Sequence, residues 1–182
     1  MQKMFLAQKD IDNAVHDIVR QMYKQEWRPD YIVGITRGGL YPAIIMSHQY
    51  DLPMYTLDVR LRDGLTGNES NAWMAEDAFG YISEAERELY KSRWDPRLRK
   101  NILIIDDIND TGATFNWIKD DWRANCLPDE TYSWDQVFGD QGNVRFAAIV
   151  NNLSSECDIS YSSIEINKAE KDEWIVFPWE LN

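Results

Sequence analysis

Residues 101–105, Asn-Ile-Leu-Ile-Ile, constrain the fold more than any other part of this chain. Four consecutive apolar residues, three of them β-branched, read as a strand buried on both faces, the mark of a parallel sheet covered by helices on either side. The run passes directly into Asp106-Asp107-Ile108-Asn109-Asp110-Thr111-Gly112-Ala113-Thr114, and a helix is expected to follow through Trp117 and Ile118. A fully apolar strand feeding a polar loop and a helix N-terminus is the usual geometry of a ligand site in an open α/β sheet.

The remaining pattern agrees with that architecture. Ile11, Val15, Ile18, Val19 and Met22 recur with helical spacing over residues 10–27, and Arg28-Pro29-Asp30 ends the helix. Residues 31–35 form an apolar run of strand length, followed by Thr36-Arg37-Gly38-Gly39. A helix is predicted over 40–50, with Pro42 tolerated in its first turn, and a second strand over 54–61. Residues 144–150 read as a further buried strand, and 162–166 and 174–177 as shorter ones. The fold class is α/β, an open, mainly parallel sheet flanked by helices, in a single domain spanning 1–182.

Two stretches fit this scheme poorly and read as acidic insertions. Residues 63–96 hold eight acids against three bases, and residues 119–143 hold six against two. A helix near 83–93 is expected in the first, with Ser83 and Glu86 in capping-box spacing. The whole chain has a formal net charge of −12, which argues against a nucleic-acid partner, since phosphate neutralisation needs surplus Lys and Arg. A hydrophobic content of 44% excludes a disordered chain. No apolar run approaches the ~20 residues of a membrane span, and no secretory h-region is present, so a cytoplasmic location is expected. Cys126 and Cys157 form no CxxC and are read as idle thiols.

The chemistry concentrates in residues 106–114. Asp106 and Asp107, placed where a strand ends, can accept hydrogen bonds from sugar hydroxyls or hold Mg²⁺ directly or through its waters. The turn from Asp110 to Thr114 opens a helix whose backbone N–H groups form a phosphate cradle, with Thr111 and Thr114 as added hydroxyl donors. Gly112 allows the close approach or positive φ such a turn requires. A diol reader beside a monophosphate cradle implies a ribose 5-phosphate ligand.

These residues carry a resemblance. IDDINDTGAT resembles the ribosyl-pyrophosphate motif of type I phosphoribosyltransferases, and two further segments resemble the short bacterial xanthine-guanine and hypoxanthine members. Ile35-Thr36-Arg37-Gly38-Gly39-Leu40 is similar to their first loop, which binds pyrophosphate through backbone amides, often with a non-proline cis peptide. Trp174-Ile175-Val176-Phe177-Pro178-Trp179-Glu180 is similar to their purine-binding C-terminal segment, part of a small hood over about 152–182. The resemblance implies an Mg²⁺-dependent transfer of the phosphoribosyl group from phosphoribosyl diphosphate to a purine, with guanine, xanthine or hypoxanthine as the expected bases. Small-molecule substrates, no nucleic acid, no membrane and a homo-oligomer go with it.

Residue by residue, the resemblance implies that Asp106 and Asp107 bind the ribose hydroxyls, with Asp107 also near the metal. Asp110 would sit beside purine N7 and assist its deprotonation. Thr111, Gly112, Ala113 and Thr114 would hold the 5-phosphate, and Thr36, Arg37 and Gly38 the pyrophosphate. Trp174 would stack on the base, Ile175 would supply backbone contacts to its exocyclic edge, and Glu180 would replace a metal-associated aspartate. Arg60 and Arg62 either reach the pyrophosphate or form a solvated strand end. The family's mobile-loop signature is absent, and residues 64–80 stand in its place. After the strand over 146–150, relatives place a lysine that contacts the purine 6-oxo group. Here Asn151-Asn152 occupies that place, with Asn152 the nearest equivalent and Lys168 or Lys171 as other sources of a cation. A regulatory, nucleotide-binding member of the same fold without transfer activity is the alternative, as is transfer to another nucleobase.

Overall fold

The computed structural model describes residues 2–59, 61, 71–86, 93–127 and 132–180. Its main sheet contains β2 (Tyr31–Thr36), β3 (Met54–Asp58), β4 (Ile102–Asn109), β5 (Val144–Asn152) and β6 (Tyr161–Ile166), all parallel, in the order β3-β2-β4-β5-β6. From β2 the chain winds outward to β3 on one side, and from β4 outward to β5 on the other. The sheet therefore reverses direction between β2 and β4, and a crevice opens there beyond the strand C-termini.

Both faces are covered, as the apolar strands require. Tyr31, Val33 and Ile35 of β2 and Ile102 and Ile104 of β4 face one core, while Ile32, Leu103 and Ile105 face the other. The second core is closed by α1 (Gln8–Lys24), through Ile11, Val15, Ile18 and Met22, and by α2 (Leu40–Tyr50), through Ala43 and Met46. At Gly34 an added Cβ would lie 2.8 Å from that of Ala43, so the missing side chain lets α2 pack closely on β2. Helix α1 stops at Lys24, short of the expected 27, and Glu26 takes a positive φ of 52° just before Trp27.

The first core is closed by the expected helix after β4 together with parts of the stretches read as acidic insertions. An unforeseen helix, α3 (Ala72–Phe79), contributes Met74, Ala75, Ala78 and Phe79, and α4 (Ala113–Asn125) contributes Phe115, Ile118 and Trp122. Trp94, Trp134 and Val137 of the short helix α5 (Asp135–Phe138) complete it. Asp77 of α3, partly buried, pairs with Lys100 and accepts from the Tyr31 hydroxyl at 3.1 Å. The helix expected over 83–93 falls largely outside the described residues; Ser83 does donate to Glu86 at 2.7 Å.

Phe79 is fully buried, with its ring 4.8 Å from those of both Trp94 and Trp134. Phe79→Ala is expected to cost about 3–5 kcal/mol, seen as a lower urea midpoint at unchanged slope. A loss below about 1 kcal/mol would show that this acidic stretch decorates the domain rather than covering its sheet.

A second, two-stranded parallel sheet pairs β1 (Gln2–Phe5) with β7 (Glu173–Val176), so the start of the chain helps build the hood. Trp179 continues from β7 and stacks on Tyr41 of α2, rings 4.3 Å apart and 5° from parallel, which ties the hood to the main body. Both cysteines are free and buried. Burial pushes the Cys126 thiol up to about 11, and raises that of Cys157 despite Lys119 Nζ 3.3 Å from its sulfur. Among the described residues no helix is long and apolar enough to cross a membrane.

Candidate active site

The crevice between β2 and β4 collects three segments. From β2, the turn at residues 37–39 leads into α2, and the Thr36–Arg37 peptide is cis. Thr36 Oγ1 donates to Asp58 Oδ1 at 2.9 Å, fixing the turn to β3. A Cβ on Gly39 would fall 2.4 Å from the Ile105 carbonyl oxygen, and one on Gly38 would fall 1.9 Å from Asp107 Oδ2. The two glycines thus let this turn lie directly against β4 and its acidic end. Arg37 is exposed beside them.

From β4 come the paired acids. The strand runs on to Asn109, beyond the expected 105, because Asp106, Ile108 and Asn109 keep their pairing with Ala148, Val150 and Asn151 of β5. Asp106 Oδ1 accepts from the Asp107 N–H at 2.9 Å and Asp107 Oδ1 from the Ile108 N–H at 2.8 Å, so each carboxylate is oriented by the next peptide. The turn from Asp110 to Gly112 then opens α4. Gly112 has φ 86°, and Thr111 Oγ1 accepts from the Ala113 N–H at 3.3 Å. The first N–H groups of α4 and its positive dipole end suit an anion.

Behind that turn lies a buttress that sequence reasoning missed. Asn109, 2% exposed, donates to Asn151 Oδ1 and to the Cys157 carbonyl, both at 2.8 Å, and accepts from Ser155 Oγ at 3.0 Å. The Glu156 N–H donates to the Thr111 carbonyl at 3.0 Å. The connection from β5 to β6 is thereby bonded along the back of the candidate phosphate turn. The one signal available for it was a neutral amide at the end of the strand, among the carboxylates of Asp106, Asp107 and Asp110.

The third segment is the hood. Trp174 is 43% exposed, whereas its neighbour Ile175 is buried, as strand alternation requires. Lys168, between β6 and β7, places Nζ 2.8 Å from Asp110 Oδ1 and 5.9 Å from the centre of the Trp174 ring. The Lys171 ammonium instead pairs with Glu173.

A phosphoribosyl transferase domain model matches residues 1–182. The chain belongs to that family. A xanthine-guanine phosphoribosyltransferase from Cereibacter sphaeroides is 27% identical over 155 residues, covering 85% of this chain and 70% of the relative. Xanthine phosphoribosyltransferase 1 of Saccharomyces cerevisiae is 19% identical over 205 residues, covering 98% and 90%. Among solved structures, a purine phosphoribosyltransferase from Pyrococcus horikoshii Ot3 shares the fold, with a TM-score of 0.64 at 22% identity over 100% of this chain and 97% of that one.

Within this phosphoribosyltransferase domain, Thr36 ends β2 and Arg37 and Gly38 lie on the turn after it, Asp106 and Asp107 lie on β4, Asp110, Thr111 and Gly112 on the turn that follows, and Ala113 and Thr114 at the start of α4. Contact across the crevice is made at Gly38 and Asp107, and contact from the hood at Lys168 and Asp110. Asn152 is different. It is 5% exposed, its Nδ2 donates to the Asp110 carbonyl at 2.9 Å, and its Oδ1 accepts from Ser154 Oγ at 2.9 Å and the Lys168 N–H at 3.0 Å. Expected as a base contact, it is engaged as a clamp within the protein. Glu180 is exposed and accepts from the Phe177 N–H at 2.9 Å. Arg60 and Arg62 lie outside the described residues. Of the stretch expected to replace the mobile loop, residues 72–79 are α3 and belong to the core.

Proposed function

We propose that this phosphoribosyltransferase moves the 5-phosphoribosyl group from phosphoribosyl diphosphate to a purine base, giving a nucleoside monophosphate and pyrophosphate. Guanine, xanthine and hypoxanthine are the bases put forward. What carries the reading is the meeting of a glycine turn, paired carboxylates and a helix-opening turn at one sheet reversal, beneath an exposed indole. Each part suits one piece of the two substrates. Ala113, Thr114 and the N–H groups around Gly112 hold the 5-phosphate at the positive end of α4, with Thr111 adding its hydroxyl. Asp106 and Asp107 accept from the ribose hydroxyls, and the turn holding Arg37 and Gly38 receives the pyrophosphate. Trp174 stacks on the purine, the backbone at Ile175 meets its edge, and Asp110 takes the N7 proton as the glycosidic bond forms. These names fit the relatives' own, a xanthine-guanine and a xanthine phosphoribosyltransferase.

The donor set also suits Mg²⁺. Among the described residues no group of three or more His, Cys, Asp or Glu side chains converges. Mg²⁺ is commonly held by one or two carboxylates with substrate oxygens and water completing its shell. Asp106 and Asp107 would hold it, with Glu180 a further candidate from the hood. When bound, it would neutralise charge on the departing pyrophosphate.

The test is direct. The purified chain, given donor, Mg²⁺ and a panel of bases, is expected to release pyrophosphate with guanine, xanthine or hypoxanthine. Donor binding with no release for any base would favour a regulatory nucleotide-binding role, and release only with a non-purine would move the substrate class.

A further inference from the structure

We infer that Asn109 is a positioning residue for the proposed transfer. Through the connection between β5 and β6 it fixes the turn before α4, and so sets the affinity for the 5-phosphate of donor and product alike. The inference rests on the phosphoribosyl transfer proposed above, which places the 5-phosphate on that turn. Asn109 touches no substrate in that reading. Its three side-chain partners all belong to later chain, Asn151 near the end of β5 and Ser155 and Cys157 beyond it. The fit is specific to a carboxamide. Its two N–H donors meet the Asn151 Oδ1 and Cys157 carbonyl acceptors, and its oxygen meets the Ser155 hydroxyl. A carboxylate would set negative charge against two acceptors in a site only 2% exposed, and an apolar residue would satisfy none of the three partners.

The connection so held is clasped from the far end of the turn as well. Asn116 Nδ2, from α4, donates to the Glu156 carbonyl at 3.3 Å, and Lys119 Nζ of the same helix lies 3.3 Å from Cys157 Sγ. Residues 155–157 are thereby bonded to the elements on both sides of the turn, β4 and α4. They also meet the turn itself in two places. The Glu156 N–H donates to the Thr111 carbonyl at 3.0 Å, and a Cβ on Gly112 would fall 2.6 Å from the Cys157 nitrogen. The Thr111–Gly112 peptide therefore rests on a fixed floor. N–H donors held in place before a ligand arrives bind it more tightly, because ordering them on binding subtracts from affinity. Asn109 supplies the part of that floor that comes from within the sheet.

Calorimetric titration of the wild-type chain, Asn109→Leu and Ser155→Ala with ribose 5-phosphate, a purine nucleoside monophosphate, and inorganic pyrophosphate with Mg²⁺ tests this. Asn109→Leu nearly preserves side-chain size. It is expected to weaken ribose 5-phosphate and the nucleotide by the same factor, about 10-fold, the lower end for loss of a hydrogen bond to a charged group. Pyrophosphate, assigned to the turn holding Arg37 and Gly38, should keep its wild-type affinity. Ser155→Ala removes the hydroxyl that joins the Asn109 amide oxygen to the Cys157 N–H. It is expected to weaken the same two ligands about 3-fold, as for a neutral hydrogen bond, and it carries the test if Asn109→Leu does not fold. In turnover the donor KM should rise by the same factors, with a smaller change in kcat and none in the base KM. A lowered urea midpoint with unchanged ribose 5-phosphate affinity would make Asn109 a structural residue of the strand end and overturn the inference. Equal losses for pyrophosphate would overturn it too, while leaving the transfer reading standing. Failure of the wild-type chain to bind ribose 5-phosphate at all would overturn both the inference and the phosphate placement on which it rests.

Discussion

Asp110→Asn is expected to lower turnover by a factor on the order of 10²–10⁴ while donor binding stays largely intact. The substitution is nearly isosteric, and the Asp110 carbonyl can still accept from Asn152 Nδ2, so the turn keeps its anchor. What is lost is a carboxylate able to receive a proton. Asp110 keeps its side chain 24% exposed, with Oδ1 2.8 Å from the Lys168 ammonium, which itself lies 5.9 Å from the centre of the Trp174 ring. A purine N–H grows more acidic as the new bond forms, so a weak carboxylate base is adequate there. Pre-steady-state measurement of pyrophosphate release, with the donor KM read alongside, checks the claim. An unchanged rate would remove Asp110 from the proton-transfer role and leave it as an ion-pair partner of Lys168.

Gly112→Ala is expected to raise the KM for the phosphoribosyl donor by about 10²-fold, with little change in the KM for the base. Two independent costs combine at this residue. Its φ of 86° lies in the left-handed region, which costs an L-residue roughly 1–2 kcal/mol. A Cβ would also stand 2.6 Å from the Cys157 backbone nitrogen and 2.7 Å from its Cβ. The Cys157 backbone cannot retreat without breaking the bond from Asn109 to its carbonyl. The turn must therefore move outward, withdrawing N–H donors from the 5-phosphate, and each charge-assisted hydrogen bond so lost is worth about 1.5–3 kcal/mol. Titration of the donor against both forms measures the shift. A donor KM unchanged by Gly112→Ala would mean that the phosphate is held elsewhere.

Both predictions concern residues that were legible in the sequence, and the reason is locality. An apolar strand, a turn with a glycine of positive φ and the opening of a helix are all encoded within one contiguous stretch, from Asn101 to Thr114. The turn at Thr36–Gly39 was legible for the same reason, since it too joins a strand to a helix. Even here the range was short, because β4 continues to Asn109 through its pairing with β5. The composition of an isolated segment does not report what its neighbour will pair.

The covering layer was harder to read. Over residues 63–96 the excess of acids obscured the periodicity of Met74, Ala75, Ala78 and Phe79, a helical stripe whose outer side carries Glu76 and Asp77. Net charge averages over both faces of a helix, whereas burial depends on one of them. β1 gave no signal at all. Its four residues become a strand only because β7 offers a parallel partner from the opposite end of the chain.

By itself, then, the sequence determined the parallel sheet, the carboxylate pair and the glycine turn proposed to hold the phosphate, since each follows from the order of adjacent residues. The tertiary structure alone decided which cation faces Asp110. Asn152, Lys168 and Trp174 come from three different elements, and their juxtaposition depends on how the hood folds back over the end of β4. The amide of Asn152 and the ammonium of Lys168 offer similar donors on paper. Burial and hydrogen bonding take the first into the frame and leave the second beside the candidate base.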